Sequence, residues 1–215
     1  MVNDARATVR ALLDRAGTTY AEEAGIRLHD TPAPLYRLLV LSVLLSTRIR
    51  ADIAIKAARE LADAGMGTPE KMLAASWKQR VDTLGGAGYK RYDESTATAL
   101  GKGAEQVRSE YRGDLRRLRD AAEGDPARVR TALTAFPRLG PVGADIFCRE
   151  AQDVWPSLRP ALDGKVLDGA RRLGLPTDPD ELSRLAPGAE LAPLAAALVR
   201  VALHRELAEE IAPAT

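Results

Sequence analysis

Helical periodicity runs along almost the whole sequence and limits the fold more than any other feature. Glycine, proline and capping residues interrupt it at short intervals. Apolar residues make up 46% of the chain, but alanine and leucine supply most of them, and extended β-branched runs are missing. This composition is typical of helices. Because the chain shows neither repeats nor an alternation of strands and helices, the sequence predicts an all-α fold.

Start and stop signals outline individual helices. The segment 30–34, DTPAP, predicts the start of an apolar helix that continues to about Leu45. Ser46 or Thr47 is the candidate cap of the next helix, which ends at Gly65. Further helices are predicted from the capping residues Thr68 and Asp125, each followed by a proline, and from about Leu191 to Ile211.

Charge and cysteine content exclude several classes of protein. A net charge of +1 excludes a uniformly basic surface, although it is compatible with a local basic face. Cys148 is the only cysteine, so intramolecular disulfides and clusters held by several thiolates are excluded. The most apolar stretch, Leu35 to Leu45, is too short to span a bilayer and predicts a buried core helix. We expect a cytoplasmic monomer without a signal peptide or a membrane partner.

The segment 135–147, AFPRLGPVGADIF, ends one helix and starts another within a few residues. Pro137 forbids a continuous helix, and Gly140 can adopt the positive φ that a tight reversal needs. Pro141 suits the first turn of the next helix, whose first N–H groups have no helical acceptor. Such a helix start binds anions, phosphate in particular. An ordinary corner between two helices, with small residues for packing, explains the same pattern.

This segment resembles the hairpin of the helix-hairpin-helix DNA glycosylases, the endonuclease III superfamily. Two more segments match that family in the same order along the chain. Residues 38–58, LLVLSVLLSTRIRADIAIKAA, are similar to the family segment that precedes the residue filling the gap left by an extruded base. Residues 161–175, ALDGKVLDGARRLGL, are similar to the family helix that carries the catalytic aspartate. Within the hairpin, Arg138 replaces the family's first glycine.

The resemblance implies two helical lobes with a DNA-binding cleft between them. A central domain, 31–144, ends in the hairpin, and residues 1–30 together with 145–215 form the second domain. The expected partner is double-stranded DNA with a damaged or mispaired base. Contacts to this DNA are expected from the hairpin and from two wedge segments: Arg138, Leu139, Gly140, Val142, Gly143, Arg48, Tyr89 and Arg91.

The resemblance also assigns catalysis to Asp163, which falls on the family's catalytic aspartate. A carboxylate near C1′ of deoxyribose stabilises the charge that develops as the base leaves, and it can activate a water. Val142 occupies the position of the lysine that forms a Schiff base in the strand-nicking members. The chain is therefore expected to be a monofunctional base-excision-repair glycosylase without an iron–sulfur cluster or other cofactor. The hairpin still allows a monovalent cation.

Other interpretations of the same residues stay open. Asp163 also fits a helix cap, and Arg48 and the segment 89–92 also fit a solvated basic surface. A non-catalytic DNA-binding protein is favoured by the residues that depart from the family pattern: Arg138, Val142, Gly164 and Asp168. An abasic-site lyase that uses Lys165 as its amine is the third hypothesis, although Lys165 also fits a contact to phosphate or solvent.

Overall fold

The computed structural model describes residues 2–187 and 190–211, and these residues form an all-α structure without strands. The helices are α1 (Val2–Ala16), α2 (Tyr20–Glu23), α3 (Pro32–Leu45), α4 (Ala51–Asp63), α5 (Pro69–Ala74), α6 (Trp77–Gly86), α7 (Asp93–Tyr111), α8 (Arg116–Ala121), α9 (Pro126–Thr134), α10 (Gly140–Ala151), α11 (Gly164–Arg172), α12 (Pro179–Ser183), α13 (Leu191–Leu203) and α14 (Arg205–Ile211). A short 3₁₀ turn, Pro156–Leu158, lies between α10 and α11. None of the described helices is both long and apolar enough to cross a membrane. The fold class predicted from the sequence is confirmed.

The chain divides into two compact units. Unit 1 contains Met1–Tyr20 and Cys148–Thr215, and unit 2 contains Ala21–Phe147. The sequence predicts the corresponding boundaries at 30/31 and 144/145. The predicted boundary at 144/145 and the observed one at 147/148 both fall inside α10, because the helix that begins at the hairpin continues to Ala151 without a break. The DNA-binding cleft between the lobes stays a prediction.

The core of unit 2 is built around α3. Between Leu35 and Leu44 every side chain except that of Arg37 is buried, so the predicted core helix is confirmed. This helix packs against α4, while α7 packs against both α5 and α6. An apolar helix of this kind gains its stability from surrounding helices that remove it from water on every side.

Side-chain caps start several helices as the sequence predicts. Thr68 accepts a hydrogen bond from the Lys71 N–H at the start of α5. Asp125 accepts one from the Arg128 N–H at 2.8 Å at the start of α9. In both cases a proline follows at the first helical position, where its missing N–H costs nothing.

Ser46 and Thr47 are not caps of the following helix, and that expectation is wrong. Their hydroxyls instead donate backwards to the last turn of α3, to the carbonyls of Val43 at 2.8 Å and Leu44 at 2.9 Å. No N–H group of the helix donates to these carbonyls, because they lie in its last turn. The two hydroxyls therefore supply the hydrogen bonds that the C-terminal end of α3 lacks. Helix α4 begins only at Ala51, after a turn of five residues, 46–50.

The core of unit 1 is built around α13, which packs against α1 and α11. Ten of its thirteen residues, beginning with Leu191, are buried. The sequence predicts one helix as far as Ile211, but the backbone of His204 is extended, with φ −123° and ψ 106°. The segment is therefore two helices, α13 and α14.

Helices α11 and α13 approach each other closely at Gly169. A Cβ at this position would lie 2.0 Å from the carbonyl oxygen of Leu198, which is backbone and cannot move aside as a side chain would. Only glycine fits this crossing. The packing therefore fixes the position of α11 within unit 1.

We expect Gly169→Ala to lower the free energy of unfolding by about 2 kcal/mol or more, because the added methyl group must push the two helices apart. The control is Gly164→Ala in the same helix, where an added Cβ meets no atom within 4 Å. That change is expected to be neutral or to stabilise the protein by up to about 1 kcal/mol. Urea unfolding of both variants measures the difference, and equal stabilities would contradict the close contact.

Candidate functional site

The turn between α9 and α10 is a tight hairpin with two left-handed residues. Arg138 has φ +64° and Gly140 has φ +57°. The apolar side chains of Phe136 and Leu139 are buried below the turn, each 2% exposed. Gly143 closes the first turn of α10 by donating its N–H to the Leu139 carbonyl at 3.0 Å. Leu139 and Gly143 are thus buried structural residues of the hairpin, so any contact that they make to DNA involves their backbone rather than a side chain.

The start of α10 presents backbone N–H groups without a protein acceptor. Within the described residues, neither the Gly140 nor the Val142 N–H has a hydrogen-bond partner, and Pro141 between them has no N–H. Val142 itself is 61% exposed. Because α10 has twelve residues, its positive dipole end adds to these donors. A helix start of this kind is able to bind an anion.

Arg138 connects the hairpin to two other segments of unit 2. Its carbonyl lies 3.1 Å from the Ser46 hydroxyl, whose single proton it shares with the Val43 carbonyl, and its guanidinium donates to the Ser95 hydroxyl at 3.2 Å. The guanidinium carbon also lies 5.5 Å from the centre of the Tyr92 ring. These contacts hold an arginine in a conformation that a glycine adopts without strain.

Tyr89 is not an exposed wedge, and this expectation is corrected. Its side chain is fully buried, with its hydroxyl 2.6 Å from the Thr47 hydroxyl. Burial raises the pKa of this phenol, although the Thr47 hydrogen bond partly opposes the shift. A buried ring cannot stack on a base. Tyr89 instead fastens the segment 89–92 to the end of α3.

Arg48 and Arg91 are exposed, as expected of residues that contact a partner. The Arg91 guanidinium carbon lies 5.3 Å from the centre of the Tyr92 ring, the same ring that Arg138 approaches. Tyr92, which belongs to the expected wedge segment 89–92, supplies the ring that both guanidinium groups approach. We call Arg48, Arg91 and Arg138, together with the N–H groups of Gly140 and Val142, the hairpin cluster.

Asp163 lies in unit 1 and caps α11. Its Oδ1 accepts hydrogen bonds from the N–H groups of Lys165 at 2.8 Å and Val166 at 3.2 Å. Its Oδ2 accepts one from Nη1 of Arg149. The side chain of Asp163 is 19% exposed and that of Arg149 is 10% exposed, so the carboxylate retains a route to solvent. Lys165 is exposed.

Sequence reasoning missed Arg149. It lies fourteen residues before Asp163, on α10, and no local pattern pairs the two. Among the described residues, no group of three or more histidine, cysteine, aspartate or glutamate side chains is arranged to hold a metal ion.

Two solved structures are similar to this chain over most of its length. One is a trapped covalent intermediate of endonuclease III with DNA, an estranged-adenine complex, at a TM-score of 0.50. The other is a non-covalent endonuclease III–DNA complex, at a TM-score of 0.51. Each is 17% identical in sequence and is matched over 91% of this chain and 84% of the other chain. No family model and no curated protein matches the sequence. The chain has the fold of endonuclease III.

Substitutions at Arg138 separate backbone strain from side-chain contacts. Arg138→Ala keeps the left-handed strain and loses the contacts, whereas Arg138→Gly loses the contacts but relieves the strain. We therefore expect the glycine variant to be more stable than the alanine variant by about 1 kcal/mol in urea unfolding. At Arg91, whose φ is not positive, the order should reverse and alanine should be the more stable. The same order at both positions would contradict the strain.

Proposed function

We propose that this protein is a base-excision DNA glycosylase that cleaves the N-glycosidic bond of a damaged or mispaired base in double-stranded DNA. The observation that carries the proposal is the fold of endonuclease III, shared over 91% of the chain with two structures of that enzyme in complex with DNA. The hairpin cluster and the Asp163 carboxylate supply the two functions that such an enzyme needs. They lie in different units, the first in unit 2 and the second in unit 1.

The hairpin cluster supports binding of the sugar–phosphate backbone. The N–H groups of Gly140 and Val142 can donate to one phosphate, assisted by the dipole of α10. The exposed guanidinium groups of Arg48, Arg91 and Arg138 add charge-assisted contacts, and such groups also stack on bases. These contacts are independent of sequence and fit an enzyme that must inspect many sites.

Asp163 supports the chemical step. As the bond between the base and C1′ breaks, the base leaves with the bonding electrons and positive charge develops on the sugar. The carboxylate stabilises that charge, and a water adds its oxygen to C1′ while giving a proton to the carboxylate. Because Asp163 is held by a helix start and by Arg149, it needs little rearrangement when charge develops.

Water is the nucleophile in this proposal because Val142 offers none. Its aliphatic side chain stands exposed at the position where the Schiff-base lysine of the family is expected. The protein is therefore proposed to be monofunctional. Lys165 is exposed and close in sequence to Asp163, so a lyase reaction through its amine is tested alongside.

A second candidate function is non-catalytic DNA binding. One observation favours it: the Asp163 carboxylate already accepts three hydrogen bonds, two of them as a helix cap. A side chain used in this way has a complete structural role without any reaction. The base-release experiment distinguishes the two candidates.

We expect the purified protein to release a base from at least one duplex in a panel of damaged and mispaired bases. Asp163→Asn should slow this release by about 10²- to 10⁴-fold, because asparagine still caps the helix but carries no charge. Asp168→Asn is the matched control, since Asp168 is exposed on the same helix and its carboxylate accepts from Arg171 on the protein surface. Release should be measured by chromatography of the free base, with melting temperatures recorded for each variant.

The alternatives give different results in the same samples. No release by the wild type, with DNA binding intact, would support the non-catalytic candidate instead. A covalent complex with abasic DNA, trapped by borohydride and lost in Lys165→Ala, would support the lyase. Equal release by the wild type and Asp163→Asn would contradict the role of the carboxylate.

Removal of the arginines in the hairpin cluster should weaken DNA binding to a similar extent for all sequences. Each of Arg48→Ala, Arg91→Ala and Arg138→Ala is expected to reduce the slope of log affinity against log salt by about 1, since each removes one phosphate contact. Arg108→Ala is the control, because Arg108 is exposed on α7 about 20 Å beyond Ser95. Fluorescence anisotropy with an undamaged duplex measures the slopes. Equal slopes in all four variants would contradict the interface.

A further inference from the structure

The carboxylate of Asp163 has one acceptor position left after its contacts within the protein. An ionised carboxylate has about four lone-pair positions, two on each oxygen. The Lys165 and Val166 N–H groups occupy both positions on Oδ1, and the Arg149 guanidinium occupies one on Oδ2. Among the described residues no other donor reaches Asp163. The remaining position on Oδ2 is therefore the place where the carboxylate can hold a water.

Arg149 is itself held in place by the chain around it. It lies on α10 with only 8% of its surface exposed. Gln152, which is fully buried, donates to the Arg149 carbonyl at 3.0 Å and accepts from the Ala161 N–H at 2.9 Å. Ala161 stands two residues before Asp163. The helix that carries the guanidinium and the loop that carries the carboxylate are thus connected both by Gln152 and by the ion pair.

The ion pair with Arg149 affects the orientation of the Asp163 carboxylate and does not strengthen the electrostatic field that the carboxylate exerts. A carboxylate paired with a guanidinium stabilises a developing positive charge less than a lone carboxylate does, because the two charges partly cancel. A benefit to the reaction must therefore come from orientation. The cap alone leaves the carboxylate able to turn about its Oδ1 contacts, and the bond from Arg149 removes this freedom.

We infer that Arg149 is a positioning residue, which holds the Asp163 carboxylate so that the single open position on Oδ2 binds the attacking water in one orientation. The inference rests on the proposed glycosylase function and adds to it a residue that acts through the Asp163 carboxylate. The two carboxylate oxygens of Asp163 then have different roles: Oδ1 caps the start of α11, and Oδ2 binds the attacking water. A misdirected water loses much of the rate that proximity supplies.

The test is single-turnover base release, with the protein in excess over the duplex that the wild type processes. Arg149→Met should slow release by about 10- to 100-fold while the dissociation constant for the same duplex changes less than about twofold. Arg149→Lys, which keeps a charged donor, should recover most of the rate. In an Asp163→Asn background, Arg149→Met should cause no further loss, because it acts only through that carboxylate. If the methionine variant does not fold, Arg149→Gln replaces it.

The contrary outcomes are separable. Release by Arg149→Met at the wild-type rate, or faster, would overturn the inference, and a faster rate would show that the guanidinium opposes the developing charge. Loss of DNA affinity and melting temperature in proportion to the rate would show a structural ion pair only. An equal loss in the Asp163→Asn background would show a role independent of the carboxylate. If the wild type releases no base, the proposed function itself fails, and this is known before any variant of Arg149 is made.

Discussion

The close crossing of α11 and α13 determines where the Asp163 carboxylate lies in unit 1. Gly169 allows the backbone of α11 to rest against the carbonyl of Leu198, and no other residue type permits that separation. Because α11 begins at the Asp163 cap, the helix that is fixed by this crossing also fixes the acidic group at its end. The residue to which we assign catalysis is therefore located by helix packing as well as by its own hydrogen bonds.

The near-neutral net charge of the chain is compatible with a local positive surface, because its arginines are not all paired. Many of them are paired with carboxylates, as Arg128 is with Glu123 and Arg130 with Asp145. Within the described part of the chain, Arg48, Arg91 and Arg138 have no carboxylate partner. A protein of this composition can hold a local positive surface around one helix start without attracting polyanions over its whole surface.

Much of the fold follows from local rules that the sequence displays. The cap at Asp125 and the cap at Asp163 both form where the sequence predicts helix starts, because an N-cap depends only on the next three residues. The site was harder to predict. Whether Tyr89 is buried and whether Arg149 pairs with Asp163 depend on contacts between segments distant in sequence. Ser46 illustrates the same limit, since its hydroxyl could cap the following helix or close the preceding one, and tertiary contacts decide.

Arg138 gives unit 2 a single point at which three segments meet. Its carbonyl takes a proton donor from the end of α3, its guanidinium reaches the first turns of α7, and its backbone forms the bend that starts α10. A displacement of one of these segments is therefore expected to disturb the contacts that Arg138 makes with the other two. Arg138, a residue in the left-handed region, thus couples the three segments to one another.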